Sequence, residues 1–301
     1  MFHPDLRAAR FLPRSTVGPR SLPLLRRLSA RRARRPPRGG TLEHIDDQVS
    51  VRVFRPASQG SLAPALLWMH RGGLILGTAA MADGMLREIS QRHGAVAVAV
   101  EYRLAPAHPF PAPLEDAYTA LAWLAEQPGV DRERIAIGGD SAGGGLAAAL
   151  ALLAKERGTI HPVFQLLSYP MLDDRTATRT DLDPRELRIW SQANNRLGWA
   201  SYLGPKAATG VPPLAAPARY EDLAGLPPAW IGVGTNDLFH DEALAYAERL
   251  RQARVPVTLN VVPGAYHGFD VIEKRAAVSR AYRQAQLDAL SQAWVTEVRR
   301  R

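Results

Sequence analysis

From residue 49 onward the chain alternates short apolar, β-branched runs with longer stretches in which apolar positions recur every three or four residues. The runs at 49–55, 65–70, 95–102, 134–139, 163–170, 229–234 and 257–262 predict strands, and several are apolar throughout, as strands covered on both faces are. Between them, 114–127, 141–157, 241–253 and the C-terminal 275–297 predict helices. Strands alternating with helices predict a doubly wound, mostly parallel α/β sheet with right-handed crossovers. Two segments break the alternation. Residues 3–30 hold scattered apolar positions interrupted by Pro13 and Pro19, which predicts two short helices. Residues 171–228, rich in Pro, Asp and Arg with one helical piece at 184–203, read as an inserted lid or cap. The expected organisation is an N-terminal segment, 1–40, able to lie over something, ahead of a main domain, 41–301, interrupted at about 171–228. No internal repeat is evident.

Composition narrows this further. With 301 residues, 46% hydrophobic and 22% charged, the chain reads as one large soluble domain. Its longest clean apolar run, 146–154, is far short of the roughly 20 residues that span a bilayer. The absence of cysteine excludes disulfides, thiolate metal sites and a cysteine nucleophile. The net charge of +9 is local: residues 1–40 contain eleven arginines and one acid, whereas 41–301 contain 27 basic and 28 acidic side chains. Such an arm suits nucleic acid or an anionic surface. No aromatic residues are interleaved among the arginines at 26–38, so nucleic acid is not the expected partner. A weak anionic-surface contact and a homodimer stay open. Arg26-Arg27 leads into more arginine and proline rather than an apolar segment, so no targeting peptide is read and a cytoplasmic location is expected.

The chemistry centres on RIAIGGDSAGGGLAAALALLAK, 134–155, where five glycines surround one serine. A strand ends at Gly138-Gly139 and a helix begins after Ser141, the strand–turn–helix setting of a G-x-S-x-G nucleophile elbow. The flanking glycines let strand and helix backbones pass closely. The helix start favours developing negative charge. A serine hydroxyl needs a base, itself oriented by an acid, and on such an elbow these follow in the order acid, then histidine. Asp237 after the 229–234 strand and His267 after the 257–262 strand fit that order and placement. Asp241 and Glu242 compete with Asp237 but fall in the first turn of the next helix, where carboxylates commonly just favour the dipole. His240 lies too near Asp237 in sequence, and His93, His108 and His161 come too early. Backbone N–H groups for an oxyanion are expected from Ala142 and from the loop WMHRGGLILGT, 68–78, at Gly72 and Gly73.

Together HRGG, GDSAGG, NDLFHDEALAYAERL, PGAYHGF and EYRLAPAHPFPAPLEDAY resemble the hormone-sensitive-lipase-like family of bacterial esterases, over roughly 45–295 and closest to mycobacterial-type carboxylesterases. The resemblance implies an α/β-hydrolase fold with a helical cap and a serine carboxylesterase acting on short- to medium-chain esters. It implies a Ser141–Asp237–His267 triad and an oxyanion hole at Gly72, Gly73 and Ala142. His70, Arg71 and Asp140 are expected to support the loop or face the substrate. No metal or organic cofactor is implied, and the partner is a small-molecule ester. The sequence departs from the family pattern twice: Arg71 replaces the first glycine of His-Gly-Gly-Gly, and Ala107 replaces an acid. Arg71 is expected to crowd the oxyanion loop, unless it meets an acid in the cap or a carboxylate on the substrate. The alternative of another class is a non-catalytic ligand-binding protein on the same fold.

Overall fold

The computed structural model describes residues 1–299 apart from 19, 58–61, 182 and 205–209, with backbone only beyond 295. Among the described residues, β1 (Thr41–His44), β2 (Ser50–Phe54), β3 (Ala63–Met69), β4 (Val96–Glu101), β5 (Val130–Asp140), β6 (Phe164–Ser168), β7 (Ala229–Asn236) and β8 (Val257–Tyr266) form one sheet in the order β1-β2-β4-β3-β5-β6-β7-β8. The β1–β2 and β2–β4 pairs are antiparallel, and every pair from β4 to β8 is parallel. This is the doubly wound α/β arrangement that the patterning predicts.

The helices are α1 (Leu22–Ala33), α2 (Asp83–His93), α3 (Ala112–Ala125), α4 (Ala142–Arg157), α5 (Gln192–Leu203), α6 (His240–Gln252), α7 (Phe269–Ile272) and α8 (Ala277–Arg299). In the N-terminal segment only α1 is a full helix, and the first expected one shortens to a single 3-10 turn, Ala9–Phe11. The helix expected at 184–203 begins only at Gln192. There the Ser191 hydroxyl accepts from the Asn194 N–H and the Asn194 side chain reaches back, a capping box that starts the helix.

β4 reads Val-Ala-Val-Ala-Val-Glu, and its β-branched residues suit a strand while its alanines let helices close on both faces. α4 is buried from Ala142 through Ala154, which explains its alanine and leucine content: a helix wrapped on all sides has no use for polar residues. Each of its buried leucines contributes roughly 1.5–3 kcal/mol of transfer free energy.

The N-terminal segment and the insertion pack on one another. The Ile189 N–H donates to the Pro13 carbonyl at 2.9 Å, Arg188 Nε to Ala9 at 2.6 Å, and the Thr16 hydroxyl to Ile189 at 3.0 Å. The insertion is also drawn together where it leaves the sheet. Ala218 N–H donates to Leu172 at 3.1 Å, and Arg219 forks onto Asp174 at 2.5 and 3.0 Å. Behind this neck the buried Glu242 of α6 accepts from the N–H groups of Leu172 and Asp173, at 2.6 and 3.3 Å, and from the Thr176 hydroxyl. Burial holds its carboxyl well above the usual carboxylate range.

Candidate active site

Ser141, Asp237 and His267 are each the first residue beyond the C-terminal end of a parallel strand, respectively β5, β7 and β8. β7 runs on to Asn236 and β8 to Tyr266, further than the apolar runs suggest, so both partners sit at strand ends rather than out on loops. Crevices at these ends are where open α/β sheets gather ligands.

Ser141 has φ +57° and ψ −122°, a conformation a β-carbon disfavours and the surrounding backbone must hold in place. Its N–H donates to Ser168 at 2.9 Å, while its carbonyl accepts from Gly145 at 3.1 Å and from Met171 at 3.0 Å. The glycines on either side are needed for approach. A β-carbon on Gly139 would collide with the Gly143 carbonyl, and one on Gly143 with the Met69 carbonyl.

His267 Nε2 lies 2.9 Å from Ser141 Oγ. Its Nδ1 lies 2.9 and 3.1 Å from the two oxygens of Asp237, and a carboxylate can only accept, so Nδ1–H donates and Nε2 keeps its lone pair toward the hydroxyl. The Phe239 N–H fixes Asp237 Oδ1 at 2.9 Å. All three side chains are buried, and Phe239 and Tyr169 stand edge-on to the imidazole with ring centroids 5.2 and 4.9 Å away. The competing acids are engaged elsewhere. Asp241 contacts His240 and Arg179, each at 2.7 Å, and Glu242 clamps the neck of the insertion.

Gly72 and Gly73 follow β3 with φ of +132° and +60°. Among the described residues, the N–H groups of Gly72, Gly73 and Ala142 have no backbone acceptor, and for Ala142 this is the normal state of a first-turn amide. Behind the loop His70 is buried, its ring stacked on Tyr102 at 4.1 Å with Nδ1 2.8 Å from the Arg71 carbonyl. Burial lowers its pKa, so the neutral ring donates from Nδ1 and braces the loop.

Arg71 meets Asp140 rather than an acid of the insertion: its Nη1 donates to Asp140 Oδ2, on the residue just before Ser141. Burial alone would weaken its hold on a proton, but the Asp140 charge outweighs that and raises the pKa. Asp140 Oδ1 is buried without a partner, so Arg71 is the group that offsets this carboxylate. The crowding expectation is therefore revised. Arg71→Gly is expected to lower kcat/KM by about tenfold, because an unpaired buried charge beside Ser141 opposes a developing oxyanion. Asp140→Asn introduced in the same chain is expected to restore most of the loss, and steady-state kinetics of the two single variants and the double variant check the coupling.

One acid near the histidine escaped the sequence reading. Asp270, three residues past His267 on α7, is buried and accepts from the Tyr169 hydroxyl at 2.9 Å. Burial, opposed in part by that bond, pushes it up to about 6. An acid whose native pKa lies above its unfolded value loses stability as pH rises between the two, here from about 4 to about 6. Asp270→Asn keeps the acceptor for Tyr169 and abolishes the charge. Relative to wild type the variant is expected to gain roughly 2–3 kcal/mol between pH 4 and pH 7. Urea melts at the two pH values measure this, and an unchanged difference would refute it.

A family model described as alpha/beta hydrolase fold matches residues 66–271. Esterase LipI of Mycobacterium tuberculosis is 38% identical over 234 residues, 73% of this chain and 71% of its own. Carboxylesterase NlhH of the same species is 37% identical over 227 residues, 73% and 71% of the two chains. Among solved structures, bacterial heroin esterase superposes with a TM-score of 0.86 at 36% identity, covering 97% of this chain and 98% of its own. Esterase LipW from Mycobacterium marinum gives 0.85 at 32% identity, covering 97% and 96%. Among the described residues no helix is long and apolar enough to cross a membrane, and no cluster of three or more metal-ligating side chains occurs.

Proposed function

Because the chain belongs to the hormone-sensitive-lipase-like family of α/β-hydrolases, we propose that it hydrolyses carboxylic esters at Ser141 through an acyl-enzyme. Ser141 Oγ attacks the ester carbonyl as His267 Nε2 takes its proton. Asp237 orients the ring and stabilises the imidazolium, and the N–H groups of Gly72, Gly73 and Ala142 receive the oxyanion. His267 then protonates the departing alcohol and activates the water that releases the acid. These steps call on no metal or organic cofactor. The supporting observation is the continuous contact from Ser141 Oγ to Asp237 through the two nitrogens of one buried imidazole, 2.9 Å on each side.

The N-terminal segment and the 171–228 insertion, packed on one another, serve in this reading as the cap over short- to medium-chain acyl groups. The experiment is a p-nitrophenyl ester series from two to sixteen carbons with rapid mixing, together with a fluorophosphonate probe mapped by mass spectrometry. A burst of nitrophenol, highest turnover below about ten carbons and an adduct on Ser141 are expected. Ligand retention with neither burst nor adduct would favour the non-catalytic alternative.

A further inference from the structure

α1 has two faces of different use. Leu22, Leu25 and Arg26 point toward the body of the protein, and Arg26 Nε donates to the Ile75 carbonyl at 2.7 Å while its guanidinium also reaches the Ala105 carbonyl. Ile75 belongs to the turn whose N–H donates to Gly72, so α1 rests on the loop that carries the proposed oxyanion donors. The opposite face is turned to solvent. Leu24 and Leu28, one turn apart, are 60% and 52% exposed. At 100° per residue Arg27, Arg31 and Arg34 fall on the same outward arc, beside the two leucines. Among the described residues none of these three arginines has an ion pair or a side-chain hydrogen bond.

Helix formation does not need those leucines outside, because the inward face already contains two. Exposed leucines bordered by unpaired arginines match a surface that is apolar below and negative above, the chemistry of an anionic lipid interface. The arginine stems can lie along the acyl boundary while their guanidinium groups stay among the phosphates. A duplex nucleic acid would use the charge but leave the leucines without a role. We propose that the outer face of α1 docks the protein reversibly on anionic lipid, with Leu24 and Leu28 entering the interface and Arg27, Arg31 and Arg34 holding the headgroups. Docking through α1 turns the oxyanion loop side of the molecule toward the lipid.

The test is co-sedimentation of the full chain with vesicles of phosphatidylcholine alone and of phosphatidylcholine with 30% phosphatidylglycerol, at low salt and at 0.5 M NaCl. Wild type is expected to pellet with the anionic vesicles only, and to be released by salt. Arg27→Gln/Arg31→Gln/Arg34→Gln should weaken partitioning by about a hundredfold, from the usual contribution of each arginine near an anionic surface. Leu24→Ser/Leu28→Ser should weaken it by about tenfold or more while leaving the charge intact. Both variants should hydrolyse a water-soluble acetate ester at the wild-type rate, which shows that they fold. Equal pelleting with neutral vesicles, no pelleting at all, or anionic binding indifferent to the two leucines would each overturn the proposal. Duplex DNA that binds wild type and the leucine variant alike, with no vesicle binding, would assign the patch to nucleic acid instead.

Discussion

Ser141→Ala is expected to reduce ester hydrolysis by at least about 10⁴-fold while leaving the protein folded. The size follows from the proposed mechanism, in which the three side chains work as a unit. His267 and Asp237 have nothing to activate once the hydroxyl is gone, and the remaining acceleration comes from the oxyanion donors and substrate binding alone. Folding should survive, since the turn is held by backbone bonds: Ser141 N–H to Ser168, and its carbonyl from Gly145 and Met171. Alanine keeps all three. Its β-carbon experiences the same positive φ that serine tolerates already. Thermal melts and single-turnover kinetics on p-nitrophenyl acetate give the two readouts, and retention of a tenth of wild-type turnover would remove Ser141 from the mechanism.

Asp237→Asn should cost almost as much, on the order of 10⁴-fold in kcat, and mainly through the tautomer. An asparagine oriented to keep the Phe239 N–H on its oxygen can present its amide group to Nδ1. The imidazole would then carry its proton on Nε2, facing a hydroxyl it can no longer deprotonate. Asp241→Asn provides the contrast. Asp241 is exposed and bound to His240 and Arg179, so its loss should change kcat less than about threefold. Steady-state kinetics of both variants decide between the two carboxylates. The reverse ranking would move the acid from the end of β7 to the first turn of α6.

Much of the fold, and the placing of the candidate site at strand ends, is legible in the sequence. The buried parallel strands announce themselves by apolar runs, and α4 by an alanine-leucine run whose burial is nearly complete. The turn at Ser141 is legible because two backbones must pass without β-carbons, a demand that only glycine meets. Other features leave a weaker trace. β1 is four residues long at a sheet edge, Thr-Leu-Glu-His, with no buried face to impose alternation. α2 buries Leu86, Ile89 and Ser90 over eleven residues containing a glycine, too little apolar repetition to stand out. The Arg71–Asp140 pair joins positions 69 residues apart, and nothing local to either side chain specifies the other. Asp270 looks like an ordinary first-turn acid in sequence. Only Tyr169, edge-on to His267 and hydrogen-bonded to Asp270, gives it an electrostatic place in the site.

The closed neck of the insertion sets a boundary for recombination among related enzymes. Residues 172–176 are bound both to 217–219 and to Glu242, so a segment exchanged from 171 to 228 would leave the buried Glu242 carboxyl facing a neck it was not matched to. Splice points just inside the neck, near 179 and 216, keep those bonds in the recipient. The portable unit is therefore the stretch between them. It also contains Arg188 and Ile189, whose backbone and side-chain partners lie at Ala9, Pro13 and Thr16, so residues 9–16 have to travel with it. A chimera that moves both pieces inherits a matched interface, and one that moves either alone inherits half of it.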